Sequence, residues 1–172
     1  MEEDTEGGIE VIHSPNPSTQ HTSPGFEKNP FPFTWYYRTE VHNRTDRPVR
    51  VEWFEAYSLV RGRWVPNNVK GRQLTHGDFM GWYADEDGLN EDGTIPPGGY
   101  AVCGVNWHGR RRPWSCRLKW VYRAVDDQGN EFEAEEEIRT KMILNGRSVL
   151  WLITWLAIIG LLVWYVFHRR SI

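Results

Sequence analysis

Signatures of enzymes and cofactor-binding proteins are missing from this chain of 172 residues. It has no GxSxG element, no glycine-rich phosphate loop and no dinucleotide fingerprint, so we expect neither a nucleophile elbow nor a nucleotide cradle. The formal net charge of −3 provides no broadly basic surface for DNA or RNA. These absences predict a protein that is not an enzyme, holds no cofactor and binds no nucleic acid.

Cysteine is scarce, with only Cys103 and Cys116 in the whole chain. A hairpin closing near Gly109 would place these thiols opposite each other, where an oxidising compartment favours a disulfide and the cytoplasm favours reduced thiols. Structural zinc usually takes four ligands in closely spaced pairs, and the chain has no CxxC or HxxxH. This spacing makes a structural zinc site the weaker interpretation. The alternative function is a membrane-anchored metal- or redox-handling protein or assembly factor that uses Cys103, His108 and Cys116.

Charge is absent from one long stretch, residues 149–167, whose only polar side chain outside the aromatic residues is Thr154. At ~1.5 Å rise per residue, a helix over this stretch reaches nearly the ~30 Å of a hydrocarbon core. Amphipathic helices of soluble proteins show a polar stripe, and this stretch shows none. The sequence therefore predicts a single transmembrane helix.

Two sets of residues in this helix suggest its surroundings. Aromatic rings with a polar edge suit the membrane interfaces, and the predicted belts are Trp151, Trp155, Trp164 and Tyr165. Small residues let another helix approach closely, and the predicted packing row is Thr154, Ala157 and Gly160. No His or Cys lies within 149–167, so the helix is expected to touch lipids or pigments without being their main ligand.

The sidedness follows from the flanking sequences. The N-terminal MEEDTEGGIEV lacks the basic and apolar regions of a secretory signal, so we expect the soluble domain to remain cytoplasmic. Basic residues flank the helix on both sides: Arg139, Lys141 and Arg147 precede it, and Arg169 and Arg170 follow it. The prediction is a single-pass protein of the inner membrane, with the C-terminus on the side opposite the β-domain.

Five regions are predicted along the chain. The first is rich in Pro, Ser, Thr and Asn and is too poor in apolar residues to build a core, which is typical of an extended arm. The regions are an arm (1–31), a β-domain (32–140), a linker (141–148), the helix (149–167) and a tail (168–172).

Alternation of apolar and polar residues predicts the strands of the β-domain. One hairpin is expected around the turn NRTDRP, joining 33–41 to 49–53, and a second joins 100–107 to 114–125. A last strand near 131–139 places Arg123 opposite Glu133 and Lys119 opposite Glu137. The residues of the preceding strand that are expected to face the core are Leu118, Trp120, Tyr122 and Ala124. Short strands without a convincing soluble helix indicate an antiparallel β-sandwich.

Candidate docking groups lie outside the regular alternation. The segment 67–98 is expected to be irregular and contains an aromatic island of Phe79, Trp82 and Tyr83. Its acidic loop, 85–92, reads as a solvated loop or an electrostatic docking patch. Arg110, Arg111 and Arg112 form a basic tip, which is either a contact for anionic headgroups or an acidic partner, or a solvated hairpin end.

Two resemblances extend this interpretation. VHNRTDRPVRVEW followed by TIPPGGYAV resembles a pattern of small immunoglobulin-like sandwiches, which implies that fold for about 33–139. The layout of one β-domain and one helix resembles accessory subunits of bacterial photosynthetic reaction-centre and light-harvesting complexes or respiratory complexes. This resemblance, with ten tryptophans in the chain, implies a non-enzymatic subunit whose partners are other membrane subunits and the lipid bilayer.

Overall fold

Antiparallel strands make up most of the β-domain, and one apolar helix ends the described chain, as predicted. The computed structural model describes residues 8–19, 31, 33–83, 88–112, 114–142 and 146–169. In these residues the elements are β1 (Ile9–Ser14), β2 (Phe33–Asn43), β3 (Val49–Val60), β4 (Arg63–Pro66), β5 (Leu74–Thr75), α1 (His76–Tyr83), β6 (Tyr100–Arg110), β7 (Arg117–Asp126), β8 (Glu131–Arg139) and α2 (Gly146–Arg169).

The strands form two sheets. The first has the order β1-β2-β6, and the second has the order β4-β3-β7-β8 with β5 also paired to β3. Both hairpins predicted around residues 43–48 and 109–112 are wrong, because β2 and β3 lie in different sheets, and so do β6 and β7. The predicted β7–β8 hairpin is confirmed.

The turn after β2 explains the first wrong hairpin. Asn43 is fully buried, and its side-chain amide donates to the carbonyl oxygens of Arg47 at 2.6 Å and Ile95 at 3.0 Å. Ile95 in turn exchanges backbone hydrogen bonds with Val49. These bonds direct the chain across to the second sheet instead of back along the first.

The register of β7 and β8 is confirmed, with Lys119 opposite Glu137 and Arg123 opposite Glu133. The ion pairs form diagonally, however: Lys119 Nζ lies 2.5 Å from the carboxylate of Glu135, and Arg123 pairs with Glu131. Exposed pairs of this kind contribute only ~0.2–1 kcal/mol each. Register therefore depends mainly on the buried face, which comprises Leu118, Trp120, Tyr122 and Ala124 as predicted.

Strand β1 lies within the predicted arm of residues 1–31. Its inward-facing side chains are Ile9, Val11 and His13. Farther on, Ser18 donates its amide to the Arg139 carbonyl at 2.7 Å and its hydroxyl to the Tyr36 carbonyl at 2.8 Å, which connects the two sheets. The prediction that Ile9–Ser14 belongs to an arm outside the core is therefore wrong. This segment forms a strand because the edge of β2 provides backbone hydrogen-bond partners, which the segment does not have by itself.

Helix α1 was not predicted, since its segment was expected to be irregular. The backbone amide of Thr75 donates to the Asp78 carboxylate at 2.8 Å, which is one of the two hydrogen bonds of a capping box. Arg72 Nη1 lies 2.6 Å and Lys70 Nζ 2.7 Å from the same carboxylate. The hydrogen bond from Arg72, followed by those from Lys70 and Thr75, holds the pKa of Asp78 well below its usual range.

One hydrophobic core takes side chains from both sheets and from α1. Phe54 of β3 stacks on Tyr122 of β7 with ring centroids 5.5 Å apart. Trp120 Nε1 donates to the Tyr37 hydroxyl at 2.8 Å, joining the second sheet to the first. Tyr83 of α1 and Tyr122 share a buried hydroxyl–hydroxyl bond of 2.6 Å, and burial raises the pKa of each.

Helix α2 contains one stretch, Val149–His168, that is long and apolar enough to span a membrane. None of its apolar window is buried against the β-domain. Near its start, the rings of Trp151 and Trp114 meet edge to face at 5.2 Å. Trp35 Nε1 also donates to the Lys141 carbonyl at 2.5 Å, which fixes the chain just before α2 to the β-domain.

Candidate binding cavity

The β-domain contains a partly open cavity of about 710 Å³. Strand β6 forms one wall, and Phe31, Trp82 of α1, Trp120 of β7 and the loop after β4 contribute the rest. The lining residues are Phe31, Asn67, Asn68, Val69, Trp82, Cys103, Val105, Asn106, Trp107, His108, Gly109 and Trp120. This volume lies within the ~300–1,000 Å³ typical of ligand pockets.

The wall formed by β6 includes both faces of the strand. Side chains two residues apart share one face, but a register shift opposite β2 interrupts this alternation between Cys103 and Asn106. The β6 residues that line the cavity are Cys103, Val105, Asn106, Trp107, His108 and Gly109. Val105 is 46% exposed although apolar, which leaves it accessible to a ligand or a partner. The opposite wall contains Trp120, whose indole N–H is already used by Tyr37, so its ring offers an apolar face.

His108 is the most unusual polar group of the cavity. Its Nε2 atom is buried and has no hydrogen-bond partner in the part of the chain that the structure describes. Burial, with a smaller contribution from the nearby Arg110, lowers the pKa of His108 to about 4. The imidazole is therefore neutral near pH 7, and it stacks on Trp35 at a centroid distance of 6.4 Å.

The other well-placed polar side chain, Asn106, already has partners. Its amide donates to the Thr39 hydroxyl at 3.1 Å, and its oxygen accepts from the Trp107 amide at 2.8 Å. None of the lining side chains is charged near neutral pH. The cavity thus suits an uncharged, mainly apolar group.

The predicted docking residues fall into two groups. Phe79 and Tyr83 are fully buried in the core, so their assignment to a docking surface is wrong. Both residues lie on α1, and their rings meet Phe54 edge to face. These aromatic side chains therefore stabilise the core and are not available to a partner. Trp82 is partly buried and lines the cavity. In the acidic loop, 85–87 fall outside the described residues, and Glu91 and Asp92 are exposed.

The basic tip, Arg110, Arg111 and Arg112, lies where β6 ends. Arg110 is half-buried beside His108, whereas the other two side chains are exposed. The expected hairpin around this tip is replaced by a crossing from one sheet to the other.

The same crossing separates the two cysteines. Cys103 lines the cavity within β6, whereas Cys116 precedes β7 and its amide donates to the Thr140 hydroxyl at 2.8 Å. No disulfide joins them. Among the described residues, which include Cys103, His108 and Cys116, no set of three ligands could hold a metal ion. The alternative of a metal- or redox-handling site gains no support from this placement.

The helix residues keep their predicted positions along α2. Trp155, Trp164 and Tyr165 are exposed, and Trp151 is half-buried against Trp114. The Thr154 hydroxyl donates to the Leu150 carbonyl at 2.9 Å, so it is already satisfied within the helix. A Cβ atom added at Gly160 would meet nothing within 4 Å. Their roles as membrane belts and packing row stay predictions.

Sequence reasoning missed most of the cavity. The sequence pattern identifies Val105 and Trp107 only as part of a strand and Trp120 only as a core residue. The sequence does contain one signal for this wall. Val105 and Trp107 are apolar residues at alternate positions of β6, and Gly104 lies beside them without a side chain.

Comparisons with known proteins assign no family. No protein-family model and no curated protein matches the chain. Among solved structures, it is similar to the Northeast Structural Genomics Consortium target SoR45, with 14% identity, 80% of this chain and 91% of that chain covered, and a TM-score of 0.47. It is also similar to a protein described as ApaA from Bordetella pertussis, with 14% identity, 80% and 94% coverage, and a TM-score of 0.45. Similarities of this strength imply no function for this chain.

Proposed function

We propose that the chain is a non-enzymatic accessory subunit of a multi-subunit membrane complex, anchored by α2 and docked on a partner through its β-domain. The observation that carries this proposal is the pairing of an exposed apolar helix with an uncharged, aromatic-lined cavity on one small domain. The two sheets, which share one core, are proposed to be an immunoglobulin-like β-sandwich. The predicted N-terminal arm outside β1 and the row Thr154, Ala157 and Gly160 are proposed as further contacts.

The proposed setting is the inner membrane, with the β-domain on the cytoplasmic side. A photosynthetic reaction-centre and light-harvesting assembly is the specific complex that the layout resembles, and lipids or pigments would adjoin α2. The helix has no His or Cys between Val149 and Phe167, which supports a structural rather than a cofactor-holding role for it.

The proposed occupant of the cavity is an uncharged apolar or aromatic segment of a neighbouring subunit. Three indole rings, from Trp82, Trp107 and Trp120, provide the contact area that such anchors use. Charged segments are disfavoured because burying an unpaired charge is costly.

We expect the substitution Val105→Arg to reduce co-purification of the partner subunits at least tenfold, which corresponds to ~1.4 kcal/mol. The substitution places a charge in the uncharged cavity from a position that is already 46% exposed, so the core is left intact. The measurement is quantitative pull-down of the full chain from membranes solubilised in mild detergent.

Val60→Arg is the matched control, because Val60 is equally exposed at 45% but lies outside the cavity. It should co-purify like the unmodified chain. Equal recovery of partners with both variants would show that the cavity is not the docking site.

A further inference from the structure

The basic tip Arg110–Arg112 lies at the same end of the β-domain as the start of α2. Pairing within the first sheet sets Phe33 opposite Arg110, and pairing within the second sets Arg117 opposite Arg139. The bond from Trp35 to the Lys141 carbonyl ties both sheets to the residues just before α2. We call this the helix-proximal end.

A direct ring contact places the tip beside the apolar helix. Trp114 follows the tip by two residues and meets Trp151 at 5.2 Å. Trp151 is the third residue of the stretch Val149–His168 that could span a membrane. Tryptophan favours the level of the lipid headgroups, so a membrane around α2 would bring the tip to that level.

The helix-proximal end has an excess of positive charge. Among the residues that the structure describes, its cations are Arg110, Arg111, Arg112, Arg139 and Lys141, and all but the first are exposed. Arg117 lies there as well, but Glu137 neutralises it at 2.5 Å. Asp126 and Asp127 lie at the opposite end of the second sheet, where Asp126 pairs with Val49.

We propose that the helix-proximal end of the β-domain binds anionic lipid headgroups, which orients the domain on the membrane that α2 enters. Clusters of four to eight Lys and Arg beside a transmembrane helix are the usual signature of this recognition. The tip alone has three, and the structure adds Arg139 and Lys141. This inference rests on the membrane anchoring proposed above.

The test uses the full chain reconstituted into nanodiscs of phosphatidylcholine, with or without phosphatidylglycerol. Hydrogen–deuterium exchange reports the protection of the backbone amides around 110–116. We expect at least tenfold slower exchange with phosphatidylglycerol at low salt, and loss of that difference at high salt, because salt screens exposed charges.

The triple variant R110Q/R111Q/R112Q should exchange at the phosphatidylcholine rate in both kinds of disc. The control R44Q/R47Q/R50Q removes three cations from the opposite end of the β-domain and should keep the lipid-dependent protection. Unchanged Trp fluorescence of the β-domain in both variants shows that they are folded.

The possible outcomes distinguish a failure of the lipid contact from a failure of membrane anchoring. A chain that enters the discs but exchanges equally fast in both lipids, or a triple variant that keeps the difference, overturns the lipid contact alone. The same independence of the exchange rate from lipid composition is expected if the basic tip instead binds an acidic protein. A chain that enters neither disc overturns the anchoring and the lipid contact together.

Discussion

Replacing both Ile158 and Leu161 with arginine is expected to release the chain from membranes. Each arginine at the centre of a transmembrane helix costs ~2.5–3.5 kcal/mol on insertion scales. The two substitutions therefore make the free energy of membrane insertion less favourable by roughly 6 kcal/mol. Both side chains are exposed in the structure, at 42% and 66%, so the fold of the β-domain should not change. Alkaline carbonate extraction should move the double variant from the membrane pellet to the supernatant.

The control for this experiment is Phe167→Arg. Phe167 lies near the end of the apolar stretch, where a long basic side chain can reach the headgroups at little cost. This variant should stay in the pellet with the unmodified chain. Retention of the double variant at the same level would contradict a membrane-spanning α2.

Acidification is expected to destabilise the β-domain because two histidines are buried in their neutral form. Burial lowers the pKa of His13 to about 4, as it does for His108. The unfolded chain, with a histidine pKa near 6.5, therefore binds protons that the folded chain does not. The free energy of unfolding falls as the pH drops from ~6.5 to ~4, by up to about 3 kcal/mol for each histidine.

His13→Gln tests this expectation at one site. Glutamine stays neutral and still offers a hydrogen bond toward Thr39, whose hydroxyl lies 3.0 Å from His13 Nδ1. Urea unfolding at pH 7 and pH 5, followed by tryptophan fluorescence, should show a smaller loss of stability for the variant. The double variant with His108→Gln should lose still less, and an unaltered pH dependence would contradict the burial of neutral imidazoles.

The strands could be predicted from the sequence, but their partners could not. Leu118, Trp120, Tyr122 and Ala124 alternate as predicted and face the core, because a buried face requires this pattern. The same alternation fits any neighbouring strand, so it does not show that β2 and β3 belong to different sheets. That choice depends on Asn43, whose amide bonds to residues more than 50 positions away.

The candidate site was predictable only in part. Trp82 was recognised as a docking candidate and does line the cavity. Val105 and Trp107 look like an ordinary outer face of a strand until the tertiary structure places Trp82 and Trp120 beside them. Phe79 and Tyr83 are aromatic like Trp82 and lie on the same helix, but their side chains are fully buried in the core, and aromatic composition alone does not distinguish the two positions.

The most direct test of the account is the size and composition of the particle that contains the unmodified chain. Membranes are solubilised in mild detergent and separated by native electrophoresis, and the proteins that migrate with the chain are identified. An accessory subunit should migrate in a defined complex together with other membrane subunits. Migration of the chain as a monomer after mild solubilisation would contradict its role as a subunit.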